Sequence, residues 1–142
     1  MGYDVLIKNG TLIDGTGSPA RQGSIAITNG QITEMGDIDG AATQTIDADG
    51  AVVAPGFIDP HTHYDAQICW DGAVTPSSWH GVTSVVLGKC GFGFAPVKPD
   101  FRDRSMLTMT RTEAIPYETM KQGMEWEWET IPEYLDSLDA AA

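Results

Sequence analysis

Apolar and polar residues alternate in the first fifty residues, which predicts short β-strands. In the stretch YDVLIKNGTLID every second residue from Tyr3 to Ile7 is apolar, and comparable stretches follow. The pairs Asn9-Gly10, Asn29-Gly30 and Asp49-Gly50 interrupt these stretches. Such pairs supply the positive φ angles of the tight turns that join paired strands. We therefore predict hairpins in a small antiparallel sheet or sandwich with one buried face.

The pattern changes near Pro55 and predicts a strand, a short helix and a second strand. VVAPGFIDPHTH is continuously apolar at its start, as in a strand that is covered on both faces. TPSSWHG then predicts a helix that starts at Thr75 or Ser77 and stops at Gly81. VTSVVLGKCGFG reads as the second strand. A strand, a short helix and a second strand within about 35 residues are typical of a βαβ unit with parallel strands.

The last third of the chain is predicted to be largely helical. KPDFRDRSMLTMTRTEA predicts a helix with Phe101, Met106 and Met109 partly on one face, and MEWEWET predicts a short extended segment. In TIPEYLDSLDA, Thr130 and Glu133 have the spacing of a capping box, which marks the start of a final helix. The apolar stripe of that helix is Tyr134, Leu135 and Leu138.

Composition restricts the possible partners and the compartment. The chain carries 8 basic and 20 acidic residues, a formal net charge of −12, which disfavours binding to nucleic acid or to an anionic membrane surface. The sequence shows neither a signal peptide nor an apolar run long enough to span a bilayer. Two cysteines, Cys69 and Cys90, are too few for a disulfide scaffold. A cytoplasmic protein with free thiols is expected.

The motif His61-Thr62-His63 predicts a metal site. Alternate residues of a strand point to the same side, so both imidazoles should face one cation at the strand end. The second predicted strand ends at Cys90, and neighbouring parallel strands bring their carboxyl ends together, where ligands commonly bind. Zinc accepts imidazole nitrogen and thiolate sulfur. The alternatives are a hydrogen-bonded polar pair that closes the strand and an inert buried thiol.

Other residues near this motif have two possible roles each. Asp59 could orient one of the histidines. Asp65 could assist a histidine or bind the metal, although a helix or loop cap is favoured. Tyr64 and Trp70 could line a pocket or belong to the core. His80 is expected at the surface or at a helix end.

Several motifs resemble one enzyme family. APGFIDPHTH resembles the first barrel strand of the metal-dependent amidohydrolase superfamily, and YDVLIKNGTLIDGTGSPARQGSIAITNGQI is similar to its N-terminal sandwich segment. GKCG, DAQICWD, TPSSWHGVTSVV and EWEWETIPEYLDSL resemble the D-aminoacylase (N-acyl-D-amino-acid deacylase) branch. The resemblance covers nearly the whole chain.

The resemblance implies an α/β fold, with a (β/α)8 TIM-like barrel beside a small β-sandwich that is built from both chain ends. Residues 1–54 would be N-terminal sandwich strands, and residues 55–142 the first two barrel strands with a helical extension. His61, His63 and Cys90 would bind zinc (one or two ions). The catalytic Asp, a general base, is expected beyond residue 142, as are two further histidines.

These expectations make the chain an N-terminal fragment, with the remainder of the barrel supplied by further sequence or by another chain. Alone, residues 1–142 are expected to fold poorly or to aggregate. The implied activity is hydrolysis of the N-acyl bond of a small N-acyl-D-amino acid. Two alternatives stay open: a cyclic amidase or deaminase of the same superfamily, and a non-catalytic truncated protein that binds a metal or a partner.

Overall fold

The computed structural model describes residues 2–141 and contains two compact units, with the division between Pro55 and Gly56. No helix within the described residues has the length and hydrophobicity that a membrane crossing requires. The strands of the first unit are β1 (Tyr3–Leu12), β2 (Arg21–Thr28), β3 (Gln31–Gly36), β4 (Ala42–Asp47) and β5 (Val52–Val53).

These strands form one sheet around β1. The order is β3-β2-β1-β4, and β5 also pairs with β1. Strands β2 and β3 are antiparallel to their neighbours, whereas β4 and β5 run parallel to β1. Leu6 and Ala26 are fully buried in the small core of this unit, next to Ile38. The prediction of an antiparallel sheet is therefore wrong, because the sheet is mixed.

Of the three predicted turns, only the one at Asn29-Gly30 makes a hairpin. Its residues have φ angles of 52° and 72°, and β2 pairs with β3 directly on either side. At Asn9-Gly10 the strand β1 continues, and a register shift shows a β-bulge there. Asp49-Gly50 does form a turn, but this turn joins two strands that both run parallel to β1.

The bulge in β1 and the turn at Asp49-Gly50 fit each other. The carbonyl of Asn9 accepts a hydrogen bond from the Gly50 N–H at 2.8 Å, and the Asn9 side-chain amide donates to Asp47 Oδ1 at 3.0 Å. The positive φ of Asn9, 57°, thus belongs to a β-bulge that forms hydrogen bonds with a neighbouring loop. This contact explains why the Asn-Gly pair does not end the strand.

The second unit contains a parallel pair of strands and three helices. They are β6 (Phe57–Asp59), β7 (Val82–Val85), α1 (Arg102–Thr112), α2 (Tyr117–Gly123) and α3 (Ile131–Ala141), with 3-10 helices at Gln67–Cys69, Ser77–His80 and Pro99–Phe101. Strands β6 and β7 are parallel, as predicted. The helix predicted before β7 is the second 3-10 helix, which begins at Ser77 with Pro76 as its N-cap and ends at Gly81 in the left-handed conformation.

Among the described residues strand β6 is exposed, so they do not cover it on both faces as predicted. Phe57 and Ile58 are each 69% exposed. The core of this unit instead lies among residues 66–138, where aromatic and methionine side chains pack together. Within the described residues, that cluster does not extend to β6.

Trp128 is central to the core of the second unit. It is 1% exposed, and its indole N–H donates to the Phe94 carbonyl at 2.7 Å. The neighbouring Trp126 has a φ of 57°, which turns the chain so that both indoles lie close together, with ring centroids 5.3 Å apart. The segment MEWEWET forms no strand, and the left-handed Trp126 interrupts the extended segment that the sequence predicts.

The helices largely follow the sequence pattern. Met106 and Met109 of α1 are buried, whereas Phe101 precedes the helix and is half exposed. The capping box of α3 is present: Glu133 Oε2 accepts from the Thr130 N–H at 2.9 Å, and Thr130 Oγ1 accepts from the Glu133 N–H at 3.5 Å. In the predicted stripe of α3, Tyr134 is buried and Leu138 packs on the core, but Leu135 is 54% exposed.

Candidate metal centre

His61 and His63 follow β6. In this segment the hydrogen bonding to the neighbouring chain segment is interrupted and then resumes. Val86 donates to the Asp59 carbonyl at 2.9 Å and accepts from the Thr62 N–H at 3.2 Å. In a regular parallel ladder these partners are two residues apart, so the spacing of three shows one extra residue. Pro60, which has no N–H, and His61 lie in this irregular stretch. The buried Thr62 anchors it, since its hydroxyl also donates to Val86 O at 3.0 Å.

Cys90 lies in a tight turn after β7 and not at the end of the strand itself. The strand ends at Val85, and the Gly91 N–H donates to the Gly88 carbonyl at 3.1 Å. Gly88 and Gly91 have φ angles of 72° and 78°, a conformation that glycine adopts without steric cost. The turn brings the Cys90 sulfur into direct contact with Nε2 of His61.

The structure brings all three predicted ligands together. One potential ligand atom each from His61, His63 and Cys90 lies within 4.8 Å of the other two. The donors of one tetrahedral zinc ion, with bond lengths of about 2.0–2.3 Å, lie about 3.3–3.6 Å apart. Small side-chain adjustments would therefore allow the three atoms to share one cation.

The chemistry of this cluster fits a borderline-soft divalent cation. Two imidazoles and a thiolate bind zinc in preference to magnesium or calcium. In addition, the Nδ1 atom of His63 is buried and has no hydrogen-bond partner among residues 2–141. An unpaired buried polar atom is unfavourable in a protein that offers no other partner. The residues present therefore fit a metal site.

A cleft of about 350 Å³ opens beside the two histidines. Its other walls include Tyr64, Gln67, Trp70, Glu113 and Ile115. Tyr64 and Trp70 therefore line a pocket, one of the two roles open to them from sequence. The hydroxyl of Tyr64 is held by a hydrogen bond of 2.5 Å with the Ser77 hydroxyl. The cleft gives a small molecule access to the histidines.

Glu113 is a residue of this cleft that the sequence analysis did not find. Its Oε2 lies 3.6 Å from Nε2 of His63, and the two side chains are 28% and 21% exposed. Glu113 lies fifty positions after His63, at the end of a helix that the sequence predicts only as an amphipathic segment. No motif in the sequence marks it.

Three other residues near the motif do not contribute ligands to this cluster. Asp59 accepts a hydrogen bond from the backbone N–H of His61 at 3.1 Å, so it holds the main chain and not the imidazole. Asp65 is 4% exposed, and burial raises the pKa of its carboxyl. Its Oδ2 has no hydrogen-bond partner within the described part of the chain, and the N-cap of the 3-10 helix that follows is Ala66, with no side-chain cap. His80 is exposed and lies outside the cluster.

A family model described as the amidohydrolase family matches residues 44–142. The chain belongs to the amidohydrolase family. The D-aminoacylase of Alcaligenes xylosoxydans xylosoxydans is 36% identical over 139 residues, which are 97% of this chain and 26% of that relative. The resemblance to D-aminoacylases that the sequence motifs indicate is thereby confirmed.

Two solved amidohydrolase structures resemble the chain. A D-aminoacylase described with a binuclear metal centre has a TM-score of 0.74 and 32% identity, over 96% of this chain and 27% of that one. An N-acyl-D-glutamate deacylase from Bordetella bronchiseptica, complexed with zinc and a phosphonate inhibitor, has a TM-score of 0.71 and 29% identity, over 99% and 27%. These matches confirm the predicted α/β fold as the N-terminal part of the amidohydrolase barrel. The chain spans about a quarter of the length of these relatives.

Proposed function

We propose that His61, His63 and Cys90 hold a divalent cation, with zinc preferred, in a hydrolase that cleaves the N-acyl bond of N-acyl-D-amino acids. The single observation that supports this proposal most strongly is the convergence of the three ligand atoms within 4.8 Å. The similarity to a D-aminoacylase and to an N-acyl-D-glutamate deacylase supports the substrate class.

Each side chain has a distinct part in this proposal. The two imidazoles supply neutral nitrogen ligands, and the Cys90 thiolate neutralises part of the charge of the cation. When bound, a zinc ion polarises the amide carbonyl and lowers the pKa of a bound water. Tyr64 and Trp70, which flank the histidines in the cleft, would contact the substrate beside the scissile bond.

The proposal includes the place of this chain in the complete enzyme. Residues 1–54 would form strands of a small β-sandwich, and residues 55–142 the first two strands and a helical extension of the barrel. The general-base Asp and two further histidines would come from outside these 142 residues. We therefore expect the chain alone to bind a metal ion without hydrolysing the substrate.

Metal binding is tested by titrating the metal-free chain with Co²⁺ or Zn²⁺ at low micromolar protein concentration. Wild type and Cys69→Ala should bind one ion, with the absorption band of a cobalt–thiolate bond. Cys90→Ala should lose that band and at least about tenfold in affinity. Cys69 is a matched control because it is the second free cysteine and lies outside the cluster. Equal affinities of all three proteins would contradict the proposed site.

The substrate class is tested on the zinc-loaded chain and on any longer polypeptide that contains it. The assays compare N-acetyl-D-amino acids, their L enantiomers, hydantoins and adenine. We expect the longer polypeptide to release acetate from the D substrates fastest. Faster ring opening of hydantoins or faster deamination of adenine would favour the alternative activities and overturn the deacylase assignment. Turnover by the 142-residue chain alone would overturn only the expectation that it is inactive.

A further inference from the structure

Glu113 lies in the cleft beside the metal cluster and has no part in the proposed ligand set. We propose that Glu113 is a positioning residue of the metal centre: its carboxylate holds the His63 imidazole and raises the affinity of the site for a divalent cation. This inference rests on the proposed function, since it requires that the cluster binds a cation.

The contact between the two side chains is direct and partly shielded from solvent. Oε2 of Glu113 lies 3.6 Å from Nε2 of His63, and neither side chain is more than 28% exposed. The His63 ring also lies next to the His61 ring, with centroids 5.5 Å apart and planes inclined by 52°. The His63 ring is therefore close to both a carboxylate and a second imidazole. Among the described residues, the ring would have no polar contact if this carboxylate were removed.

The helix α1 gives Glu113 a fixed position. The Glu113 N–H donates to the Met109 carbonyl at 2.9 Å, and the Met109 side chain is buried in the core of this unit. Directly after Glu113, Ala114 adopts a φ of 56°, a left-handed conformation that is unfavourable for alanine. This turn places Ile115 in the same cleft as Glu113. Glu113 is thus the C-cap of α1, tied to the helix by its backbone hydrogen bond.

A carboxylate next to a metal-binding histidine has a known physical effect. It restrains the imidazole ring in one orientation and increases its basicity, and loss of such a partner typically reduces metal affinity about 10–100-fold. A second effect must be separated from this one. The chain has a net charge of −12, so removal of any carboxylate weakens the general attraction for cations.

Glu118 provides the matched control for the general charge effect. It is exposed on α2 and is not among the residues of the cleft. The full chain is prepared as wild type, Glu113→Gln, Glu113→Asp and Glu118→Gln. Zinc affinity is measured by competition with a chromophoric chelator. We expect Glu113→Gln to bind zinc about 10–100-fold more weakly. Glu118→Gln should stay within about twofold of wild type, because an exposed charge outside the cleft is screened by solvent.

A spectroscopic measurement separates positioning of His63 from a general loss of structure. In ¹H–¹⁵N correlation spectra of the imidazoles of the metal-free chain, Glu113→Gln should shift the ring nitrogens of His63 and leave those of His80 unchanged. Glu113→Asp keeps the charge at a greater distance and should recover part of the affinity. Tryptophan fluorescence and far-UV circular dichroism show whether each variant is folded.

The outcomes distinguish this inference from the proposed function. If the wild-type chain binds no metal, the proposed function fails and the inference fails with it. If the wild-type chain binds zinc but Glu113→Gln and Glu118→Gln have equal affinities, only the inference is overturned. Should Glu113→Gln not fold, Glu113→Asp takes its place. Unchanged affinity and unchanged His63 resonances in that variant would then overturn the inference.

Discussion

The two cysteines should differ strongly in their reaction with iodoacetamide, and zinc should affect only one of them. Cys90 is exposed in its glycine turn, whereas Cys69 is partly buried against the core of the second unit. Burial, together with the nearby carboxyl of Asp65, raises the pKa of the Cys69 thiol to about 11. The thiolate is the form that reacts, so Cys69 should be the slower site.

The expected difference follows from the ionised fractions. At pH 8 a thiol with a pKa of about 11 is about 0.1% ionised, compared with roughly 10–25% for a thiol of ordinary pKa. This factor of about 100 is partly offset, because a more basic thiolate is a better nucleophile by about tenfold. The net effect of the raised pKa is therefore to slow Cys69 about tenfold relative to an ordinary thiol. Its burial slows the reaction further.

The assay is peptide mass spectrometry of the chain at successive times of alkylation, with and without one equivalent of zinc. Cys90 should be modified first, and zinc should slow its modification while leaving Cys69 unchanged. The rate at Cys69 should rise about tenfold per pH unit between pH 8 and pH 10. In guanidinium, where burial is lost, both cysteines should react alike. Equal rates at both sites in the folded chain, or no zinc protection of Cys90, would refute this reasoning.

Three further predictions concern the second unit, which contains all four tryptophans, so that its unfolding can be followed by their fluorescence. Trp128→Phe leaves the Phe94 carbonyl without its donor and should lower the free energy of unfolding by about 2–4 kcal/mol; no loss would contradict the assigned core. Hydrogen bonds from the backbone N–H groups of Glu129 and Thr130 lower the pKa of Glu133. The stabilisation by the ionised Glu133 side chain is therefore present at pH 7 and is lost as the pH falls through that lowered pKa. In urea titrations, Glu133→Gln should lower the free energy of unfolding at pH 7 but not at pH 2. Trp79 is 77% exposed, and Trp79→Ser should raise the monomer fraction in gel filtration; an unchanged elution profile would argue against association through this surface.

Local patterns in the sequence predict the elements of the fold better than their pairing. The positive φ angles that Asn and Asp residues favour occur at all three predicted positions, including Asn9 and Asp49. These residues have different structural roles, because the bulge in β1 and the turn after β4 depend on which strand lies alongside. That pairing is set by contacts distant in sequence. Similarly, the alternation of residues in MEWEWET does not reveal the positive φ of Trp126, which brings two indoles close together.

The proximity of His61, His63 and Cys90 could be inferred from sequence because strand geometry relates them. His61 and His63 are two residues apart, and a parallel neighbour brings Cys90 to the same edge. The details could not be inferred, since the histidines lie beyond β6 and Cys90 lies in a turn beyond β7. Glu113 could not be found at all. Its position depends on the packing of α1 against the core, which no local motif encodes.

The most direct test of the metal centre is X-ray absorption spectroscopy at the zinc edge of the zinc-loaded chain. We expect a sulfur neighbour at about 2.3 Å together with nitrogen neighbours at about 2.0–2.1 Å. The sulfur should vanish in Cys90→Ser and persist in Cys69→Ser. A zinc shell of only nitrogen and oxygen atoms in the wild-type chain would contradict the assignment of Cys90 as a ligand.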